Sequence, residues 1–105
     1  MVKRFEMQRQ WSTLPLMLFM VIERFKAGDP HAVGERFRLH GRLLPAGVAY
    51  KSSWMETSGA RCFQIMEAAH QELLNEWVSR WEDLVDFEIV PVLTSDDFWS
   101  KRRGT

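Results

Sequence analysis

Cysteine, proline and long apolar stretches are all scarce in this sequence, and each scarcity argues against a class of protein. Because Cys62 is the only cysteine, the chain forms no intramolecular disulfide bond, and we expect a protein of the reducing cytoplasm. No Cys-x-x-Cys or His-x-His spacing indicates zinc, so we expect neither a metal nor a cofactor. The longest apolar run, residues 14–22, is too short to span a bilayer, and no signal-peptide cleavage site follows it.

The sequence also lacks net charge, because its formal charge at pH 7 is zero. The basic residues are nevertheless concentrated at the two ends, at Lys3, Arg4 and Arg9 and at Lys101, Arg102 and Arg103, which leaves the body of the chain acidic. An acidic body does not offer the clustered Lys and Arg side chains that phosphate contacts require. We therefore expect neither a nucleic-acid nor a membrane partner.

Aromatic residues, by contrast, are plentiful, with seven Phe and five Trp in 105 residues. Each aromatic side chain buries a large apolar area, so a chain of this length can form one domain with its own core. Because small domains expose much of their surface, a partner surface would add stability.

Hydrophobic patterning divides the chain into six elements. We predict strands over residues 17–25, 48–56, 61–67 and 86–94, one helix from Asp29-Pro30 to Gly41 or Pro45, and a second helix over residues 69–83. Residues 1–16 form an N-terminal extension that we expect to be poorly ordered, residues 17–95 form the domain, and residues 96–105 form a basic tail.

Local signals support these elements. Asp29 is a favoured N-cap, Pro30 suits the first helical position, and Val33, Phe37 and His40 follow at helical spacing. The turn at residues 57–60 predicts a hairpin that pairs Trp54 with Phe63, Met55 with Cys62 and Glu56 with Arg61. Trp77 and Trp81 fall on the apolar stripe of the second helix. Pro91 predicts that the last strand is an edge strand, or that the proline lies at its exposed side or at a bulge.

The order strand, helix, strand, strand, helix, strand predicts an α+β fold, the ferredoxin-like βαββαβ sandwich. Right-handed crossovers then give a four-stranded antiparallel sheet with two helices on one face. The strands are apolar on both faces, whereas a face open to water should be polar at alternate positions. We therefore expect a homodimer in which a second subunit covers the helix-free face.

Six segments together resemble a family of short bacterial proteins, the domain of unknown function 3303. They are Leu18-Phe-Met-Val-Ile-Glu-Arg-Phe25, Gly41-Arg-Leu-Leu-Pro45, Ser53-Trp54, Arg61-Cys-Phe-Gln64, Met66-Glu-Ala68 and the stretch from Trp81 to Val92. The resemblance implies a dimeric α/β-barrel arrangement and no established activity, so no catalytic role is carried over. His70 stands where relatives tend to carry an acidic residue, which predicts a weakly capped start of the second helix.

Five residues are candidates for a ligand site. Gln64 lies between Cys62 and Met66 on one side of its strand, and Glu88 shares its side with Val90 and Val92, so both polar groups need partners. Tyr50, Trp54 and Glu23 are weaker candidates. For each residue a structural role competes: a salt bridge for the carboxylates, the core for the aromatics, and a bond across the dimer for Gln64. Arg42 is able to clamp an anion, although an exposed arginine is the commoner outcome.

Two functions follow from this pattern. One is the binding or conversion of a small molecule in a cavity between the sheet faces of the dimer, lined by Gln64 and Glu88. The alternative is a non-catalytic structural or protein-interaction module whose second face is an interface. An open, polar-lined cavity favours the first function, and a solidly packed one favours the second.

Overall fold

The computed structural model describes residues 15–103. Its elements, in chain order, are β1 (Met17–Phe25), a short 3-10 turn (Lys26–Gly28), α1 (His31–His40), β2 (Ala49–Met55), β3 (Arg61–Ala68), α2 (Gln71–Ser79), β4 (Val85–Val92) and α3 (Ser95–Arg103). The N-terminal extension was predicted over residues 1–16. Residues 1–14 of it lie outside the described part of the chain, so its predicted disorder stays a prediction.

The four strands form one antiparallel sheet in the order β2-β3-β1-β4. This order confirms the predicted α+β class and places Pro91 on an edge strand, where a missing N–H is tolerated. The hairpin register is also confirmed, because Trp54 lies opposite Phe63 and Met55 lies opposite Cys62. The side chains of Glu56 and Arg61 form an ion pair beside them.

One face of the sheet packs against α2 and forms the core. Phe19 and Val21 of β1 and Met66 of β3 are fully buried there beneath Leu74 and Trp77 of α2. Trp81, in the turn after α2, is 5% exposed, so the prediction that Trp77 and Trp81 are core residues is confirmed. As expected, the first turn of α2 receives no hydrogen bond from the His70 side chain.

The first helix packs differently from its prediction. The carboxylate of Asp29 accepts a hydrogen bond from the His31 N–H and so caps the start of α1. No residue of α1 is buried, however, and Phe37 and His40 are exposed. The helical spacing of these side chains therefore does not lead to burial, because a cavity lies between α1 and the sheet.

Residues 95–103 form a third helix where the sequence pattern indicated only a basic tail. The Thr94 hydroxyl accepts a hydrogen bond from the Asp97 N–H, and Asp96 and Asp97 place negative charge at the start of the helix. These capping residues were the signal for a helix in the sequence.

The second sheet face carries no helix of the described residues and is apolar at its centre. Leu18, Met20 and Ile22 of β1 lie on this face, beside Phe63 and Ile65 of β3. We call it the open face. Within residues 15–103, no helix has the length and apolar character needed to cross a membrane.

Candidate functional site

A cavity of about 370 Å³ lies between α1 and the face of the sheet that packs against the helices. Its walls come from β1, α1, β2, β3 and the α2 region, and most of them are apolar. The lining residues are Glu23, Phe25, Pro30, Val33, Gly34, Phe37, Arg42, Ser53, Met55, Cys62, Gln64, Trp77 and Trp81. The volume is at the lower end of the range of small-molecule sites in proteins.

Strand alternation places a carboxylate and an amide together in this cavity. In the β1–β3 pairing, Glu23 lies opposite Cys62 and Val21 lies opposite Gln64, so Glu23 and Gln64 are diagonal neighbours on one face. Both residues are buried, with exposed fractions of 6% and 8%. The Gln64 Nε2 group donates a hydrogen bond of 2.5 Å to Oε2 of Glu23.

The environment of Glu23 favours its protonated form. Burial among apolar side chains raises the pKa of Glu23 from 4.5 to about 7, although the positive charge of Arg42 and the hydrogen bond from Gln64 both oppose the change. Near pH 7 the carboxyl group therefore exists in both protonation states. A group with this property is able to give or take a proton at neutral pH.

Gln64 is suited to hold both states of Glu23. Its Nε2 group donates to the carboxylate, whereas its Oε1 atom is buried and has no hydrogen-bond partner. Rotation of the amide by half a turn would present Oε1 to the protonated acid as an acceptor. An unpaired buried carbonyl oxygen costs free energy, so its presence beside a titratable acid is unusual.

The Cys62 thiol lines the same cavity but is not a nucleophile there. Its burial, together with the nearby negative charge of Glu23, raises the pKa of the Cys62 thiol to about 11. The thiol therefore stays protonated at neutral pH.

Arg42 is the cationic group of the cavity wall. Its guanidinium lies 3.5 Å from the ring centre of Tyr50 and 5.0 Å from that of Phe37. Its carbonyl oxygen accepts hydrogen bonds of 3.0 Å from the indole N–H groups of both Trp77 and Trp81. Both the main chain and the side chain of Arg42 are thus fixed by aromatic residues.

The structure brings some of the predicted site residues together and separates others. Glu23 and Gln64 form the polar pair of the cavity, and Tyr50 lies against Arg42 at its wall. Glu88 and Trp54 do not join them, because both lie on the open face, where Trp54 is 58% exposed.

A single subunit therefore does not place Gln64 and Glu88 in the same cavity, as the sequence analysis expected. Val21 of β1 lies opposite Gln64 of β3 and opposite Ile89 of β4, so these three side chains share one face of the sheet. Glu88 lies opposite Ile22, on the other face. Glu88 instead forms an exposed ion pair with Arg24. The strand alternation was correct, but the sequence did not indicate which face the helices cover.

Three lining residues were missed or undervalued in the sequence. Arg42 follows the turn at Gly41, Ser53 adjoins Trp54, and Phe37 was noted only for its helical spacing. Ser53 is held by a 2.8 Å hydrogen bond between its hydroxyl and that of Tyr50. No sequence signal distinguished Ser53, because serine is common on strands that face solvent.

The cavity shows no arrangement typical of a metal site. Among residues 15–103, no three His, Cys, Asp or Glu side chains converge in a way that would hold a metal ion.

Comparison with known proteins identifies the family of the chain. No curated protein and no solved structure matches the sequence. The profile of the family described as Domain of unknown function (DUF3303) matches residues 17–102, which include every strand and nearly all of α3. The match extends beyond residue 95, where the sequence resemblance was expected to end. The chain therefore belongs to the domain of unknown function 3303 family.

Proposed function

We propose that this protein binds a small, largely apolar organic molecule in the cavity beneath α1 and that Glu23 exchanges a proton with it. The observation that carries the proposal is the Glu23–Gln64 pair, buried in a largely apolar cavity where Glu23 forms no ion pair and the charge of Arg42 does not outweigh the effect of burial. Stability alone would favour apolar side chains at both positions, since a buried carboxyl group is costly.

The proton transfer requires no cofactor. The carboxylate form of Glu23 takes a proton from one atom of the bound molecule, and the resulting carboxylic acid returns a proton to another atom or, after exchange with solvent, to the same atom. The bound molecule is isomerised, or exchanges hydrogen with solvent, and nothing is oxidised. Gln64 keeps Glu23 oriented in both states, and the apolar walls exclude water that would stabilise the charged form.

A fragment screen by nuclear magnetic resonance tests the binding part of this proposal. The indole N–H groups of Trp77 and Trp81 face the cavity region and donate to Arg42, so their signals report its occupancy. We expect single-ring carbonyl compounds and alcohols to shift these two signals. If no fragment of the panel shifts them, the cavity is not a binding site and the proposal is wrong.

Deuterium exchange tests the role of Glu23. We expect a bound carbonyl compound to gain deuterium from heavy water at the carbon next to its carbonyl group, and the Glu23→Gln variant to bind it without this gain. Glu88→Gln makes the same chemical change on the open face and should exchange like the parent. Equal exchange in the parent and in Glu23→Gln would contradict the assigned proton transfer.

A second proposal concerns the partner of the chain, which we propose to be a second copy of itself. The support is the open face, where Val90 and Trp54 are exposed around a partly buried apolar centre. The alternative of a purely structural or interaction module rests on this face alone. It gives no reason for the buried acid and amide on the opposite side of the sheet.

A further inference from the structure

We infer that the molecule bound in this cavity carries a carboxylate group, which Arg42 recognises, on an apolar body of about one aromatic ring. The inference rests on the proposed function, because it names the ligand class of the same cavity.

The first observation is that the Arg42 side chain forms no ion pair with a carboxylate, although its charge acts on Glu23 in the same cavity. Among residues 15–103, five other arginines each form an ion pair with a carboxylate: Arg24, Arg36, Arg38, Arg61 and Arg80. Arg42 forms none, although it lies in the same cavity as Glu23. A guanidinium with free N–H groups matches the two oxygens of a carboxylate.

The second observation is that Arg42 is held in place before any ligand binds. The rings of Tyr50 and Phe37 lie close to the guanidinium and restrict its movement, and the two indole donors hold the backbone. An arginine that is already ordered loses little conformational entropy when an anion binds to it. An arginine that serves only solubility has no need of four aromatic side chains around it.

The third observation is the contrast between this cation and the rest of the cavity. Phe25, Val33, Met55 and the two tryptophans offer apolar contact, and burial raises the pKa of Glu23, the acid of the cavity, so that it carries less negative charge than an exposed glutamate. A monoanion with an apolar body satisfies both surfaces at once. The cavity volume of about 370 Å³ limits that body to a small one.

Matched pairs of probes test the inference on the intact protein. The pairs are benzoate with benzyl alcohol, phenylacetate with 2-phenylethanol, and 3-phenylpropionate with 3-phenylpropanol. Affinity is measured from the shifts of the Trp77 and Trp81 indole signals. We expect at least one carboxylate to bind about tenfold or more tightly than its alcohol, as a charge-assisted hydrogen-bond pair provides.

Substitution of Arg42 separates recognition from simple attraction of anions. In Arg42→Met the preference for the carboxylate should disappear while the alcohol still binds. In Arg38→Met, which removes an exposed arginine of α1 paired with Glu35, the preference should remain. The comparison of probes on the parent protein decides the charge preference even if Arg42→Met fails to fold.

The outcomes distinguish this inference from the proposed function. Equal binding of carboxylate and alcohol would overturn the inference and leave the cavity as a site for neutral molecules. A carboxylate preference that persists in a folded Arg42→Met protein would also overturn it. Failure of every probe to shift the two indole signals would contradict the proposed function itself.

Discussion

At the scale of single residues, Glu23 has the most unusual environment. It occupies a strand position at which Phe19, Val21 and Phe25 are its buried neighbours on the same face of β1. Its partner is a neutral amide, so the charged form is not compensated by an ion pair. Burial of this acid therefore reduces stability whenever the group is ionised.

This burial predicts that stability falls as the pH rises. The pKa of Glu23 is about 7 in the folded protein and near 4.5 in the unfolded chain. Below pH 4.5 both states carry the proton. Between pH 4.5 and 7 the unfolded chain releases its proton first, so the free energy of unfolding falls by about 3 kcal/mol over this range. Above pH 7 both states are ionised and the loss is constant.

The Glu23→Gln variant should remove this loss. A glutamine at position 23 is neutral, and its amide is able to donate to the unpartnered Oε1 atom of Gln64. We expect the variant to melt like the parent at pH 4 and about 5 °C or more above it at pH 8, measured by circular dichroism. Glu82→Gln, at an exposed position, should show no such difference. An unchanged melting temperature at pH 8 would mean that Glu23 is not buried as described.

Trp81 connects the core to the cavity wall. It is 5% exposed, and its indole donates to the carbonyl oxygen of Arg42. We expect Trp81→Ala to cost about 3–5 kcal/mol of unfolding free energy, measured by urea denaturation, because a large aromatic contact and one hydrogen bond are lost. Trp54→Ala on the open face should cost much less in the monomer, since Trp54 is 58% exposed. A variant at position 81 that unfolds like the parent would contradict this packing.

At the scale of elements, α1 is attached to the domain mainly by one arginine. Arg36 donates two hydrogen bonds to the carboxylate of Asp83 and a third to the carbonyl oxygen of Arg80. The hydrogen bonds from Arg36 hold the pKa of Asp83 below its usual value. No residue of α1 is fully buried, and its apolar contact with the core comes from Val33, which is partly buried there.

Removal of this arginine should loosen α1 selectively. In Arg36→Ala we expect faster hydrogen exchange at the amides of α1, while the amides of β1 and β3 stay protected. Arg38→Ala, which breaks the ion pair with Glu35 within the same helix, is the matched control and should change little. Uniformly faster exchange across the sheet would instead indicate that Arg36 supports the whole domain.

At the scale of the whole molecule, the open face is the surface through which we propose that two copies of the chain associate. We expect the parent to be a dimer that buries roughly 1,200–2,000 Å² in total, as specific interfaces do. Met20 lies on the open face of β1, between β3 and β4, so Met20→Glu should give a monomer of 12.4 kDa by light scattering. Leu39→Glu places the same charge at an exposed position of α1 and should leave the dimer intact. A parent protein that remains monomeric at high concentration would contradict the dimer.

The candidate site was only partly predictable from the sequence. Period-two alternation correctly grouped Gln64 with Cys62 and Met66, and Glu88 with Val90 and Val92. It did not tell which of these groups faces the helices, because both faces of every inner strand are apolar. Gln64 was therefore paired with Glu88 rather than with Glu23. The distance of α1 from the sheet, which creates the cavity, also depends on contacts between residues far apart in the chain, such as Arg36 with Asp83.

The sequence by itself determined the class of fold and the hairpin register, because these depend on local signals. Alternation along β1, the residues 57–60 between two strands, and Pro91 in the last strand each act over a few residues. Only the tertiary structure decided that Glu23, Gln64 and Arg42 share one cavity. Their meeting depends on the diagonal pairing of two strands and on a loop that Trp77 and Trp81 hold against the core. Such contacts join distant segments, and no local pattern in the sequence records them.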